Sequence, residues 1–158
     1  MKYMKRISPG LLVAAVMVVG CSKPSDIKPA AKNPTDKVAE HAHGTGPNGG
    51  VVLDLGSHHA EFTVDHGKQQ CAILILGDDE QTPTAVSADE LVLTINETKT
   101  DDGKIVEAMT IRMLPEDAVD GRASKFVGTD PGIGNVADFE GTVSGEIDGK
   151  PAQGEFKE

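Results

Sequence analysis

The sequence predicts an all-β fold: a single antiparallel β-sandwich or flattened barrel of about seven or eight strands. Two observations carry this expectation. From Gly49 onward apolar residues recur at every second position, and no stretch of helical length repeats at i, i+3, i+4. Turn dipeptides separate the runs: Gly56-Ser57, His66-Gly67, Asp102-Gly103 and Asp148-Gly149.

Taken in order, Val51, Leu53 and Leu55 alternate with Val52 and Asp54, and Ala60, Phe62 and Val64 with His59, Glu61 and Thr63. A third run follows from Cys71. Then Leu91, Leu93 and Ile95, Met109, Ile111 and Met113, and Ala137, Phe139, Val143 and Ile147 give further half-buried strands. A two-residue turn at Gly56-Ser57 pairs Leu55 with His58, Leu53 with Ala60 and Val51 with Phe62. A two-residue turn at His66-Gly67 pairs Phe62 with Cys71 and Ala60 with Ile73. Both turns put the apolar partners on one face and Glu61 on the other, as a meander requires. Ala72 and Leu74 fall on the opposite face and call for a cover. With four Phe and no Trp, the core is light and aliphatic.

Three segments are expected. Residues 1–20 read as a signal peptide: Lys2, Lys5 and Arg6 precede an apolar run from Leu11 to Val19, too short to span a bilayer. Residues 21–48 read as a flexible linker, with Pro24, Pro29, Pro34 and Pro47, four lysines and little to bury. Such a coil spans about 25–30 Å. Residues 49–158 form the β domain.

Val18-Val19-Gly20-Cys21 resembles the lipobox of bacterial lipoproteins, which implies cleavage before Cys21 and acylation of its thiol, palmitate included. The chain is then a lipid-anchored membrane protein of the cell envelope. In such proteins an Asp after the cysteine retains the chain at the inner membrane. Ser22 stands there, which points to the periplasmic face of the outer membrane. Losing the leader removes three positive charges and no negative ones, taking the net charge from −10 to −13. That balance excludes a nucleic-acid partner and suits cations. With Cys21 acylated, Cys71 is the one remaining thiol. Its apolar run marks it as a small buried hydrophobe rather than a nucleophile.

All five histidines lie between His41 and His66. Neutral imidazole ligates zinc, copper(II) and nickel. His59 and His66 are seven strand residues apart, about 23 Å, and cannot share an ion. Two groupings are expected. His41, His43 and His66 meet where the linker enters the first strand. His58 and His59 lie near residues 77–80, with Glu61 on the outward face of His59. The expected ion is Zn2+ or Cu2+. Copper(I) is disfavoured because Met109 and Met113 alternate into the core. The competing reading makes these histidines solvated rim residues.

Gly44, Gly46 and Gly49 match G-x-G-x-x-G, but they open a strand, whereas a dinucleotide fingerprint opens a helix. They read as a turn. Ser87 and Glu90 have capping-box spacing before a strand and read as a short helical turn or a loop. No catalytic residue is expected, and the chain reads as no enzyme.

The His-rich tract, Gly46-Pro47-Asn48-Gly49-Gly50 and His59-Ala60-Glu61-Phe62 resemble a pattern in small uncharacterised bacterial lipoproteins. Residues 123–128 and 139–149 resemble their C-terminal half. A weaker similarity joins the His-rich, Gly-Gly opening to periplasmic adaptor subunits of heavy-metal efflux pumps, which implies a metal-related setting. The expected function is therefore a tethered metal-binding module. The alternative is a non-catalytic structural or interaction domain with an envelope protein as partner.

Overall fold

A computed structural model describes residues 43–158 of the chain. The segments expected as signal peptide and as linker up to residue 42, with Cys21 and His41, lie outside the described residues. Ten strands are present among the described residues: β1 (Val51–Leu55), β2 (His58–Asp65), β3 (Gln70–Leu76), β4 (Leu91–Ile95), β5 (Thr98–Lys99), β6 (Ile105–Val106), β7 (Met109–Glu116), β8 (Lys125–Thr129), β9 (Glu140–Ile147) and β10 (Lys150–Lys157). A short 3-10 turn, Pro131–Gly134, precedes β9. None of the helices among the described residues is long and apolar enough to cross a membrane.

Eight strands make one antiparallel sheet in the order β1-β2-β3-β8-β7-β4-β9-β10, and β5 and β6 form a separate small hairpin. The sheet curls until its two edges meet, as the expected flattened barrel requires. No ladder joins β1 to β10, but their residues pack closely. The Phe62 and Phe156 rings stand 4.2 Å apart across the seam. Gly154 of β10 lies so near that a Cβ there would fall 1.9 Å from the Asp54 carbonyl oxygen. A side chain at that position would hold the edges apart.

Alternation delivers the core. Leu53, Leu55, Ala60, Phe62, Ile73, Ile75, Leu91, Leu93, Ile95, Met113, Phe126, Phe139 and Val143 are all at most 1 % exposed. Met109 packs against this cluster from its margin. Cys71 is buried, its sulfur 3.7 Å from the Met113 sulfur.

The first hairpin has the expected register, Leu55 opposite His58 and Val51 opposite Phe62. Gly56 supplies φ 65° at the first turn position. The second register differs from expectation by two residues: Phe62 pairs with Ile73, Ala60 with Ile75 and Val64 with Cys71. The turn holds four residues, 66–69, instead of two. The Asp65 carboxylate accepts the Lys68 N–H at 3.0 Å, and Gln69 takes φ 55°. An even shift keeps every side chain on its expected face. At the far hairpin Asp148 and Gly149 have φ 49° and 75°, the two positive values of a type I′ turn.

The chain is folded against the barrel already at residue 43, upstream of the Gly49 boundary expected from composition. Residues 46–50 form a tight turn, with Gly46 N–H donating to Gly50 O and Gly49 N–H to Gly46 O, both at 3.0 Å. Thr45 then bridges Val51 in antiparallel sense. The turn folds the incoming chain back along β1, toward the Leu55 end.

Candidate metal centre

Four side chains converge on the outer face of the first hairpin, at its Gly56-Ser57 end. Asp54 and His59 are direct cross-strand partners, so their side chains emerge on one face about 5 Å apart at Cβ. His59 also pairs with Leu76, the last residue of β3, beyond which the loop of residues 77–82 rises beside it. That loop brings Glu80. The reversed N-terminal segment brings His43.

The two rings meet edge to face, with centroids 5.6 Å apart. His43 Nδ1 lies 3.1 Å from Glu80 Oε1, and His59 Nε2 lies 3.7 Å from the same oxygen. Ligand atoms of His43, His59 and Glu80 all fall within 4.8 Å of one another. A tetrahedral ion with bonds of about 2.0–2.1 Å needs ligand atoms about 3.3 Å apart. The two separations from Glu80 Oε1, 3.1 and 3.7 Å, bracket that edge.

The remaining ring nitrogens are held from outside the cluster. His59 Nδ1 is 3.3 Å from the Gly77 carbonyl oxygen, which accepts Nδ1–H, and Nε2 is turned toward Glu80. His43 Nε2 is 3.5 Å from Asp54 Oδ2, on the side of the ring away from Glu80. An imidazole bound to metal through one nitrogen and steadied through the other by a carbonyl or carboxylate is the usual arrangement at zinc. Asp54 Oδ1 also stands 3.4 Å from His59 Nε2. Two imidazoles and two carboxylates thus crowd one patch. Among the described residues every ion-pairing Lys or Arg is committed elsewhere, and none reaches Asp54 or Glu80.

The other expected ligands have different roles. Glu61 is on the outward face, as alternation demands, but is fully buried under residues 46–50. Its Oε1 accepts from Asn48 N–H and Gly50 N–H, and its Oε2 from Asn48 Nδ2, all at 2.8 Å. Those bonds consume the carboxylate, which serves as the anchor of the turn and not as a ligand. Gly46 passes directly over it, where a Cβ would collide with the Glu61 side chain at 2.5 Å. His58 has inward parity, and its Nε2 stands 4.0 Å from Asp148 Oδ2. His66, at the other end of β2, donates Nδ1–H to the Ile133 carbonyl at 2.7 Å. The expected meeting of His43 with His66 does not occur, because the turn of residues 46–50 carries His43 to the His59 end. His41 lies outside the described residues.

Asp54 went unrecognised in the sequence, although the Gly56-Ser57 turn already places it opposite His59. Glu80 belonged to the acidic loop expected near His59. Compared with known protein families, curated proteins and solved structures, the chain matches none.

Proposed function

We propose that this chain is an exported, lipid-anchored envelope protein whose barrel binds one divalent cation, Zn2+ or Cu2+, through His43, His59 and Glu80. One observation carries the reading: ligand atoms of two imidazoles and a carboxylate from three separate chain segments converge within 4.8 Å of one another, with the second nitrogen of each ring beside an acceptor oxygen. Two nitrogen donors favour a borderline transition metal over Mg2+ or Ca2+, which take oxygen. Copper(I) is a poor fit, because the Cys71 thiol and Met113 thioether are sealed in the core. The acidic surface draws cations toward the barrel. The Cys21 lipobox supports the anchor, with Ser22 favouring the outer membrane.

Titration calorimetry of the full-length chain with ZnCl2 and CuCl2 tests the metal reading. One ion per chain is expected, at micromolar affinity or tighter, with at least a hundredfold loss in His43→Ala or His59→Ala. Millimolar affinity, or mutants that bind like wild type, would reject it. Labelling cells with radioactive palmitate tests the anchor: label should enter the wild-type chain and be absent from Cys21→Ala.

A further inference from the structure

The carboxylate ligand sits on a loop with an unusual backbone. Glu80 has φ 56°, a left-handed conformation that a residue with a Cβ adopts at a cost of about 1 kcal/mol or more. Such a conformation persists only where neighbours over-determine it, and here they do. Gly77 N–H donates to Thr82 O at 2.9 Å and closes the loop, while Glu80 N–H donates to Gly77 O at 3.0 Å. Asp79 does the rest from an exposed position. Its Oδ1 accepts Gln81 N–H at 3.1 Å and Thr82 N–H at 2.8 Å, and its Oδ2 accepts the Thr82 hydroxyl. The same Gly77 oxygen that receives Glu80 N–H also receives His59 Nδ1–H, so one carbonyl sets both a ligand's backbone and a ligand's ring.

We infer that Asp79, which touches none of the ligand atoms, is a positioning residue for the metal centre: by tying down Gln81 and Thr82 it holds Glu80 in the left-handed geometry that aims its carboxylate at His43 and His59. This rests on the metal-binding reading above. A carboxylate on an unrestrained loop would lose backbone freedom on binding, whereas one already fixed does not.

The test is zinc titration of four full-length variants beside wild type. Asp79→Ala should weaken binding about tenfold, the lower end of what losing a support around a metal ligand costs. Asp79→Asn, whose Oδ1 still accepts both N–H groups, should recover most of that loss. Glu80→Gln should weaken binding by a larger factor. Adding Asp79→Ala to Glu80→Gln should change affinity less than twofold, because the brace then has no ligand to aim. Thermal unfolding without metal should be nearly the same in all of them, which separates positioning from general damage. Asp79→Ala binding within twofold of wild type would overturn the inference while leaving the metal site standing. An undiminished tenfold loss in the Glu80→Gln background would overturn it too, since Asp79 would then act by another route. Failure of wild type itself to bind either zinc or copper(II) would remove both this inference and the reading beneath it.

Discussion

Asp54 Oδ1 stands 3.4 Å from His59 Nε2, and Asp54 Oδ2 stands 3.5 Å from His43 Nε2, so one carboxylate straddles both imidazoles. The pairing is set by a two-residue turn that puts Asp54 opposite His59. Asp54 is also the residue whose carbonyl Gly154 approaches at the barrel seam.

Asp54→Ala removes the group steadying His43 without touching the core. Zinc affinity should fall about tenfold to a hundredfold, as at other sites that lose a carboxylate behind a histidine ligand. Asp54→Asn should fall less, because an amide oxygen remains beside His43 Nε2. Unfolding in urea should shift by no more than about 0.5 kcal/mol, the usual range for a surface substitution. Calorimetry and urea titration on the same preparations check both. Wild-type affinity in Asp54→Ala would show that the carboxylate is a bystander.

Glu61 predicts the reverse pattern, a large effect on stability with metal affinity following behind. Glu61→Ala removes the acceptor shared by three donors of the turn and should cost about 3 kcal/mol, the upper end for hydrogen bonding to a charged group. Glu61→Gln retains one acceptor oxygen and should cost about half as much. Because the turn over Glu61 delivers His43, the alanine variant should also bind zinc more weakly. His43→Ala should lose zinc with its stability intact. A Glu61→Ala chain as stable as wild type in urea would refute the anchoring role.

These two carboxylates show where the sequence was legible. Alternation and turn position fix the partner of every residue in the first hairpin, so the Asp54–His59 contact follows from local rules alone. The core was equally readable, and a turn of unexpected length at residues 66–69 moved it by an even step that changed no face. Glu61 is different. A carboxylate on an outward strand position is normally solvated, and its burial depends on a cover that arrives from another part of the chain. The same cover redirects His43 by a full strand length. Composition reads the Pro- and Lys-rich segment as linker to its end, and only the N–H groups presented by Asn48 and Gly50 reveal that its last residues dock.

The seam gives a third prediction. Gly154 has ordinary backbone angles, so its need for glycine is purely one of space: a Cβ would meet Asp54 O at 1.9 Å and a Leu53 methyl at 2.9 Å. Gly154→Ala should therefore force β1 and β10 apart, with a cost of about 2–3 kcal/mol, in the range of an overpacked core. Since Asp54 moves with β1, zinc affinity should drop as well. Gly44→Ala, where a Cβ meets nothing within 4 Å, should be nearly neutral in stability. Equal urea midpoints for the two variants would mean that the seam is loose.

Cys71 gives a pH dependence of defined sign. Burial, reinforced by the negative charge of Asp130, pushes its thiol up to about 12 from an ordinary value of 9.0. Above about pH 9 the unfolded chain releases this proton while the folded chain keeps it, so the unfolded state binds fewer protons and stability falls as pH rises. The slope contributed by one group is about −1.4 kcal/mol per pH unit, reaching at most about 4 kcal/mol by pH 12. At neutral pH the thiol adds no pH dependence, and wild type should exceed Cys71→Ala by about 1 kcal/mol through lost packing against Met113. Between about pH 9 and pH 11 that advantage should shrink and then reverse, while every other titrating group cancels between the two chains. Urea midpoints for the pair at increasing pH measure this directly. A constant gap would mean that Cys71 ionises as readily in the folded barrel as in the open chain, and that the contact with Met113 does not seal it from water.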